Sequence, residues 1–226
     1  MDKEALSLHD TKIPLKHIPA RCLCLAVGLA VMAFGVAFSI AGALGTSPIS
    51  SVPYVTSCIS GLSVGTTTII MNCIFVLLQI VILRRQYQWF QLLQIPAAIL
   101  FGLMIDVGEW VLRGISWSNY FQQWVLCAIG ITLVALGVSI EVMAKLITTA
   151  GEGIVLAICQ VTPLKFGNVK VAFDVTLVCI SIVTGLLCLG HLEGVREGTV
   201  AAAICVGLLT KQFKKPVGKF EEKFLL

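Results

Sequence analysis

Charge is what this sequence has least of. Of its 226 residues only 12% are charged, 16 Lys and Arg against 12 Asp and Glu, while 58% are hydrophobic. The mean hydropathy is +0.97. A soluble domain carries about 25% charged residues, so there is too little polar surface here to coat a water-soluble globule. That excludes a cytosolic enzyme and a disordered chain. The net charge of +4 invites no nucleic-acid partner, because the basic residues stand at the edges of apolar runs rather than in one patch. Histidine is scarce too: His9, His17 and His191 are the three. No His/Cys/Ser constellation converges, so no catalytic residue, metal site or cofactor is expected. No Gly-x-x-x-x-Gly-Lys loop is present, which excludes a chain that hydrolyses ATP by itself. The nine cysteines include no metal-type Cys-x-x-Cys pair. Cys73, Cys127, Cys179, Cys188 and Cys205 fall inside apolar runs, where cysteine acts as a small apolar residue.

Long apolar runs are what the sequence has instead. A spanning helix needs about 20 largely apolar residues. Segments 22–44, 64–83, 90–106 (continuing amphipathically to 113), 125–144 and 169–189 read as such helices, and 198–210 as the core of a short sixth. The first run follows a polar head too long for a signal n-region and lacks a clean small-x-small cleavage site, so it reads as a retained helix. Segments 46–62 and 148–164 are apolar enough to be buried, yet too short and too rich in Pro, Gly, Ser and Thr to span. Six crossings with both termini in the cytoplasm put Lys3, Lys12, Lys16, Arg21, Arg84, Arg85, Lys145, Lys165 and the lysines from Lys211 onward inside, leaving Arg113 and Arg196 outside. Trp89, Trp110, Trp117, Tyr120 and Trp124 fall near span ends, as interfacial aromatics do.

The chain also resembles itself. Gly28 matches Gly130, Gly35 matches Gly137, Leu44 matches Leu146, Thr46 matches Thr148, Gly65 matches Gly167, and Asn72 meets the near-isostere Asp174, all at an offset of 102. Phe101-Gly-Leu103 meets Val206-Gly-Leu208 at an offset of 105. Three crossings per copy is an odd number, so the second copy enters from the opposite face: an inverted-topology repeat. The expected architecture is an all-α membrane protein of six helices in two inverted repeats of three. Residues 1–20 form a cytoplasmic tail, 21–114 the first repeat, 115–119 a linker, 120–213 the second repeat and 214–226 a second tail. Segments 46–62 and 148–164 then become broken or re-entrant half-helices, tolerated at membrane depth where protein or a water-lined cavity satisfies the backbone. Thr46-Ser47-Pro48 reads as a hydroxyl cap with proline at the first helical position. Thr149-Ala-Gly-Glu152 has capping-box spacing. Two helix starts aimed at one midplane make a donor-rich centre suited to an anionic group.

Leu44-Gly-Thr-Ser-Pro48, then Gly61-Leu-Ser-Val-Gly-Thr66 leading to Asn72, resembles the bacterial YczE/YyaS/YitT group of small multi-helix membrane proteins. The resemblance covers most of residues 24–213. The group's second half carries a Gly-x-x-Pro-x-Asp turn, where this chain has Thr148-Thr-Ala-Gly-Glu152 without the proline. The resemblance implies an integral protein of the bacterial inner membrane with a role in transport, and names no substrate.

Ionisable residues inside a bilayer are costly and usually face partners or water. The second copy carries Glu141, Lys145, Glu152, Lys170 and Asp174, where the first has Ser39, Ala43, Ser50, Thr68 and Asn72. Asp174 lies about 10 Å along the helix from Gly167 and suits proton coupling, with Lys170 one turn before it as charge partner. Asn72 reaches the same depth from the other side. Glu141 and Lys145 have favourable i,i+4 spacing. The expected function is a small secondary transporter for a polar or anionic solute, working by alternating access and coupled to protons. Its substrate-binding residues are Thr46, Ser47, Asn72, Thr148, Thr149, Glu152 and Asp174; Asp174, Glu152 and Glu141 are its proton-coupling residues. The expected partners are the lipid bilayer and the solute, and six short helices make a thin-walled monomer for which a homodimer is a candidate assembly. Two alternatives remain open: a substrate-binding subunit of a larger transport complex, and a non-transporting scaffold that tolerates neutral residues at Asp174 and Glu152.

Overall fold

The structure, a computed structural model, describes residues 18–224. The lysines expected in the cytoplasmic head, Lys3, Lys12 and Lys16, lie outside the described residues. Among the described residues every regular element is helical. These are α1 (Ile18–Ala41), α2 (Pro48–Ser60), α3 (Val64–Leu83), α4 (Gln94–Leu112), α5 (Tyr120–Ala144), α6 (Ala150–Val161), α7 (Phe166–Cys188) and α8 (Glu197–Phe224), with two short 3-10 turns between α3 and α4.

Among the described residues five stretches are long and apolar enough to cross a membrane: Ile18–Ala41, Val64–Gln86, Trp89–Leu112, Tyr120–Ala144 and Phe166–Cys188. The expected sixth takes another form. Residues 198–210 head a helix of 28 residues that runs on to Phe224, past Lys211, Lys214, Lys215 and Pro216, so the expected tail from 214 continues α8. Its uninterrupted apolar part, 13 residues, covers about 20 Å, short of a hydrocarbon core of about 30 Å. Lysines arriving one turn too early keep α8 from qualifying as a span on length and apolarity.

The polarity of the molecule is reversed relative to a soluble protein. Ile74, Leu77, Val81, Leu103, Val107, Val175, Val183 and Leu187 face outward, while Thr68, Asn72, Gln79, Gln94, Ser139, Glu141 and Ser181 are buried. Such an outer surface fits lipid. All nine cysteines are free.

α1 and α5 form the central pair and cross closely at glycine. A Cβ on Gly35 would stand 2.8 Å from the carbonyl oxygen of Gly130, and one on Gly137 would stand 2.7 Å from that of Gly28. Helices associate in lipid through such small-residue contacts, because burying apolar surface gains nothing there. Around this pair α4 lies on α1 and α8 on α5, while α6 lies on α3 and α2 on α7. α3 also packs along α4, and nothing comparable joins α7 to α8.

Both central helices end alike, on left-handed residues Ala43 and Lys145, each with φ 51°. An arginine serves the carbonyls at each end: Arg196 Nη1 donates to Ala43 O at 3.0 Å and Arg21 Nη1 to Ala144 O at 3.2 Å. Arg21, expected as an inner surface charge, is thus 1% exposed, because carbonyls at a helix C-terminus need donors. Trp89, Trp110, Trp117 and Tyr120 are exposed, and Trp117 Nε1 donates to Ala41 O at 3.0 Å.

The two segments expected to be too short to span are the short helices α2, of 13 residues, and α6, of 12. Both are embedded in the protein. Pro48, Ser50, Ser51, Pro53 and Val55 of α2 are buried, as is most of Ala150 to Ala157 in α6. The side chain of Ile49 in α2 rests against Gly151 in α6, in space that a Cβ would need.

Candidate functional site

A cavity of about 440 Å³ lies beside the α1–α5 pair, within the range of small-molecule sites. The starts of both short helices reach it: Ser47, Pro48 and Ser50 from α2, and Thr148, Thr149, Ala150 and Glu152 around α6. Asn72 and Thr68 line it from α3, Asp174 and Lys170 from α7, and Glu141 from α5. Leu29, Met32, Phe101, Val134 and Val206 supply apolar wall. The site is therefore a mostly apolar chamber with three carboxylates and two lysines, the second being Lys211 of α8.

Local sequence explains each placement. Pro48 opens α2 behind the N-cap Ser47, as expected, although Ser47 makes no cap bond to backbone and its hydroxyl donates to Ser50 Oγ at 3.0 Å. The capping box expected at Thr149 and Glu152 does not form in that way. Thr149 makes no side-chain cap bond, and its N–H donates to Glu141 Oε1 at 2.8 Å. A carboxylate from α5 thus sits on the start of α6, where the helix dipole favours negative charge. Glu141 is 3% exposed, a cavity group. Lys145 stands beyond the last helical residue, Ala144, and is exposed.

Asn72 and Asp174 share the cavity rather than a bond. Asn72 Nδ2 donates to Thr68 O at 2.9 Å, and Lys170 Nζ pairs with Asp174 Oδ1 at 2.5 Å. The ion pair is partly open, its side chains 30% and 22% exposed. Thr46 is the expected site residue that falls elsewhere. Its N–H donates to Gly194 O at 3.0 Å and it lines a small separate pocket with Glu193 and Arg196. Gly45 turns there with φ 92°, which carries Thr46 away from the helix start that Ser47 begins.

Sequence reasoning missed several polar residues. Gln79 Nε2 donates to Gln94 Oε1 at 3.1 Å and to Ala150 O at 3.0 Å, tying α3, α4 and α6 together. Thr68 Oγ1 and Gln94 Nε2, both bordering the cavity, are buried without a hydrogen-bond partner among the described residues. Ser51 Oγ and Ser181 Oγ, both buried, share a 2.8 Å bond between α2 and α7. Asp106 accepts from Gly65 N at 2.7 Å and from Ser63 Oγ at 2.8 Å. A glutamine or serine amid an apolar run was the available signal.

An apolar exterior, helical structure with five membrane-length helices among the described residues, and a mostly apolar cavity that holds charged groups mark a multi-pass membrane protein. It belongs to the family of unknown function DUF6198, whose profile matches residues 19–215. It is similar to the uncharacterized protein YyaS of Bacillus subtilis (strain 168), 26% identical over 133 residues, which cover 58% of this chain and 65% of that one. The matched region thus spans just under two thirds of the relative's length. The resemblance carried by residues 44–48 and 61–72 is accordingly to a YyaS-type family. No solved structure matches the chain.

Proposed function

We propose that this protein is a small secondary transporter of a bacterial inner membrane, moving a small polar solute by alternating access with a proton as coupling ion. α8 makes the sixth crossing, both termini face the cytoplasm, and the two halves are inverted repeats. The observation that carries the reading is that one cavity is lined by both short-helix starts and by the pair Asn72 and Asp174. Transporter sites lie between repeats, at the ends of broken helices.

The contacts around the cavity support a two-fold relation. In a two-fold assembly, if residue i touches the counterpart of j, then j touches the counterpart of i. Gly28 packs on Gly137 and Gly35 on Gly130, which are such crossed pairs at the offset of 102. Ser51 meets Ser181, and their counterparts Gly153 and Gln79 also lie together. Ile49 meets its own counterpart, Gly151.

The chemistry follows from the charges. Asp174 gives its carboxylate to Lys170; a proton taken up by Asp174 neutralises it and frees the ammonium to meet the solute. Glu141 already occupies the start of α6, so an anionic group on the solute is left the start of α2, with Ser47 and Ser50. Thr68 and Gln94 supply unused hydrogen-bonding groups at the wall. The test is proton flux in sealed proteoliposomes while pools of metabolites are screened. A solute-dependent proton current that Asp174→Asn, Glu152→Gln or Glu141→Gln abolishes supports the reading. No current from any pool, with all three variants still supporting the protein's role in cells, refutes it in favour of a scaffold.

A further inference from the structure

One joint lacks its counterpart. Gly65 at the start of α3 and Gly102 in α4 meet backbone to backbone, so that a Cβ on either would collide with the carbonyl oxygen of the other. Asp106 straddles that joint through its bonds to Gly65 N and Ser63 Oγ. The equivalent glycines are Gly167 at the start of α7 and Gly207 in α8. A Cβ added at either meets nothing within 4 Å, and α7 and α8 do not pack along each other as α3 and α4 do. The cavity extends to this region: Lys170 and Val171 of α7 and Gly207 and Lys211 of α8 all line it.

Resting on the transporter reading, we infer that the protein is held in an inward-open state, with the Gly65–Gly102 joint latched by Asp106 as its closed outer gate and the parted Gly167 and Gly207 as its open inner gate. In the cycle the two exchange: α7 and α8 close glycine to glycine as α3 and α4 part. Two features of the sequence agree. Glycine weakens a helix relative to alanine, and at Gly207 this conformation makes no use of the space it leaves. The counterparts of Ser63 and Asp106 are Lys165 and Lys211, cations where the outer gate has a hydroxyl and a carboxylate. A carboxylate stabilises a helix start, and cations there oppose the dipole and one another. The outer joint is therefore the one that rests closed.

Hydrogen exchange of the full chain in lipid nanodiscs, with no solute added, tests this. Asp106→Ala removes both latch bonds and shifts the population toward the opposite state at least about tenfold, the low-end worth of a single hydrogen bond to a charged group. Exchange then rises at the outer ends of α3 and α4 and falls over residues 167–171 and 203–210. In Asp106→Ala combined with Gly207→Leu, which fits the open inner gate and wedges the closed one, the rise beyond residues 64–67 and the fall vanish together; a rise that outlasts the fall means the gates are uncoupled and overturns the exchange. A change confined to residues 64–67 in Asp106→Ala makes Asp106 a simple helix cap and overturns the gate. So does an unchanged pattern. Because no solute is needed, coupled exchange alongside failed flux rejects transport and keeps the motion, whereas flux alongside uncoupled exchange does the reverse.

Discussion

Alanine at Gly35 and alanine at Gly207 are one chemical change with two different expected outcomes. At Gly35 the new Cβ would stand 2.7 Å from Val134 N and 2.8 Å from Gly130 O. Carbon and carbonyl oxygen normally meet no closer than about 3.3 Å, so α1 and α5 must part by about half an ångström. Overpacking of that kind costs about 1–3 kcal/mol. At Gly207 the Cβ meets nothing, and only the gain in helix propensity remains, up to about 1 kcal/mol. That gain is common to both variants and cancels when they are compared, leaving a gap of about 2 kcal/mol from strain alone. For a chain of this size that is a difference of about 4–8 °C in melting temperature. The assay is thermal unfolding in nanodiscs followed by tryptophan fluorescence. Gly137→Ala, whose Cβ would stand 2.6 Å from Met32 N, should melt low with Gly35→Ala. A Gly35→Ala protein that melts with or above Gly207→Ala refutes the close crossing.

Other consequences are smaller. Ser51→Ala and Ser181→Ala each lose the bond between α2 and α7, at about 1 kcal/mol, and the double variant costs little more than either single one in the same melt. Arg21→Met keeps the apolar stem and removes the donor at Ala144 O, which should cost about 1–3 kcal/mol; an unchanged melting temperature would make that contact idle. Lys170→Gln leaves Asp174 without its ion-pair partner, and flux is expected to fall in that variant with the protein still folded, as size-exclusion profiles would show.

What was legible in the sequence followed from counting apolar residues. The five long helices and the two short ones appear because length against bilayer thickness is a one-dimensional property. Proline behind serine was enough to start α2. α8 was harder, since its apolar stretch and its lysines belong to one continuous helix and a window of residues shows only where charge begins. Thr46 and Ser47 are neighbours with different surroundings, a separation made by the turn at Gly45. Glu141 and Thr149, eight residues apart, meet because a chain reversal at Lys145 lies between them, and no helical spacing announces that. Gln79, Gln94 and Asp106 were passed over for the same reason: their partners lie on other helices, and partners are what give a buried polar residue its role.

The contact between Ile49 and Gly151 bears on how such a chain can arise. Where a two-fold axis passes through a protein, a residue on it faces its own copy. In a dimer of identical three-helix halves, that spot would hold two isoleucines, which collide, or two glycines, which leave a hole. If the two halves of a single chain are such copies, as proposed, they escape the dilemma by mutating separately into a knob and its socket. On the proposed inverted-repeat reading, joining two halves in one chain frees the axis to specialise, and the same freedom lets Glu152, Lys170 and Asp174 stand where the other half has Ser50, Thr68 and Asn72.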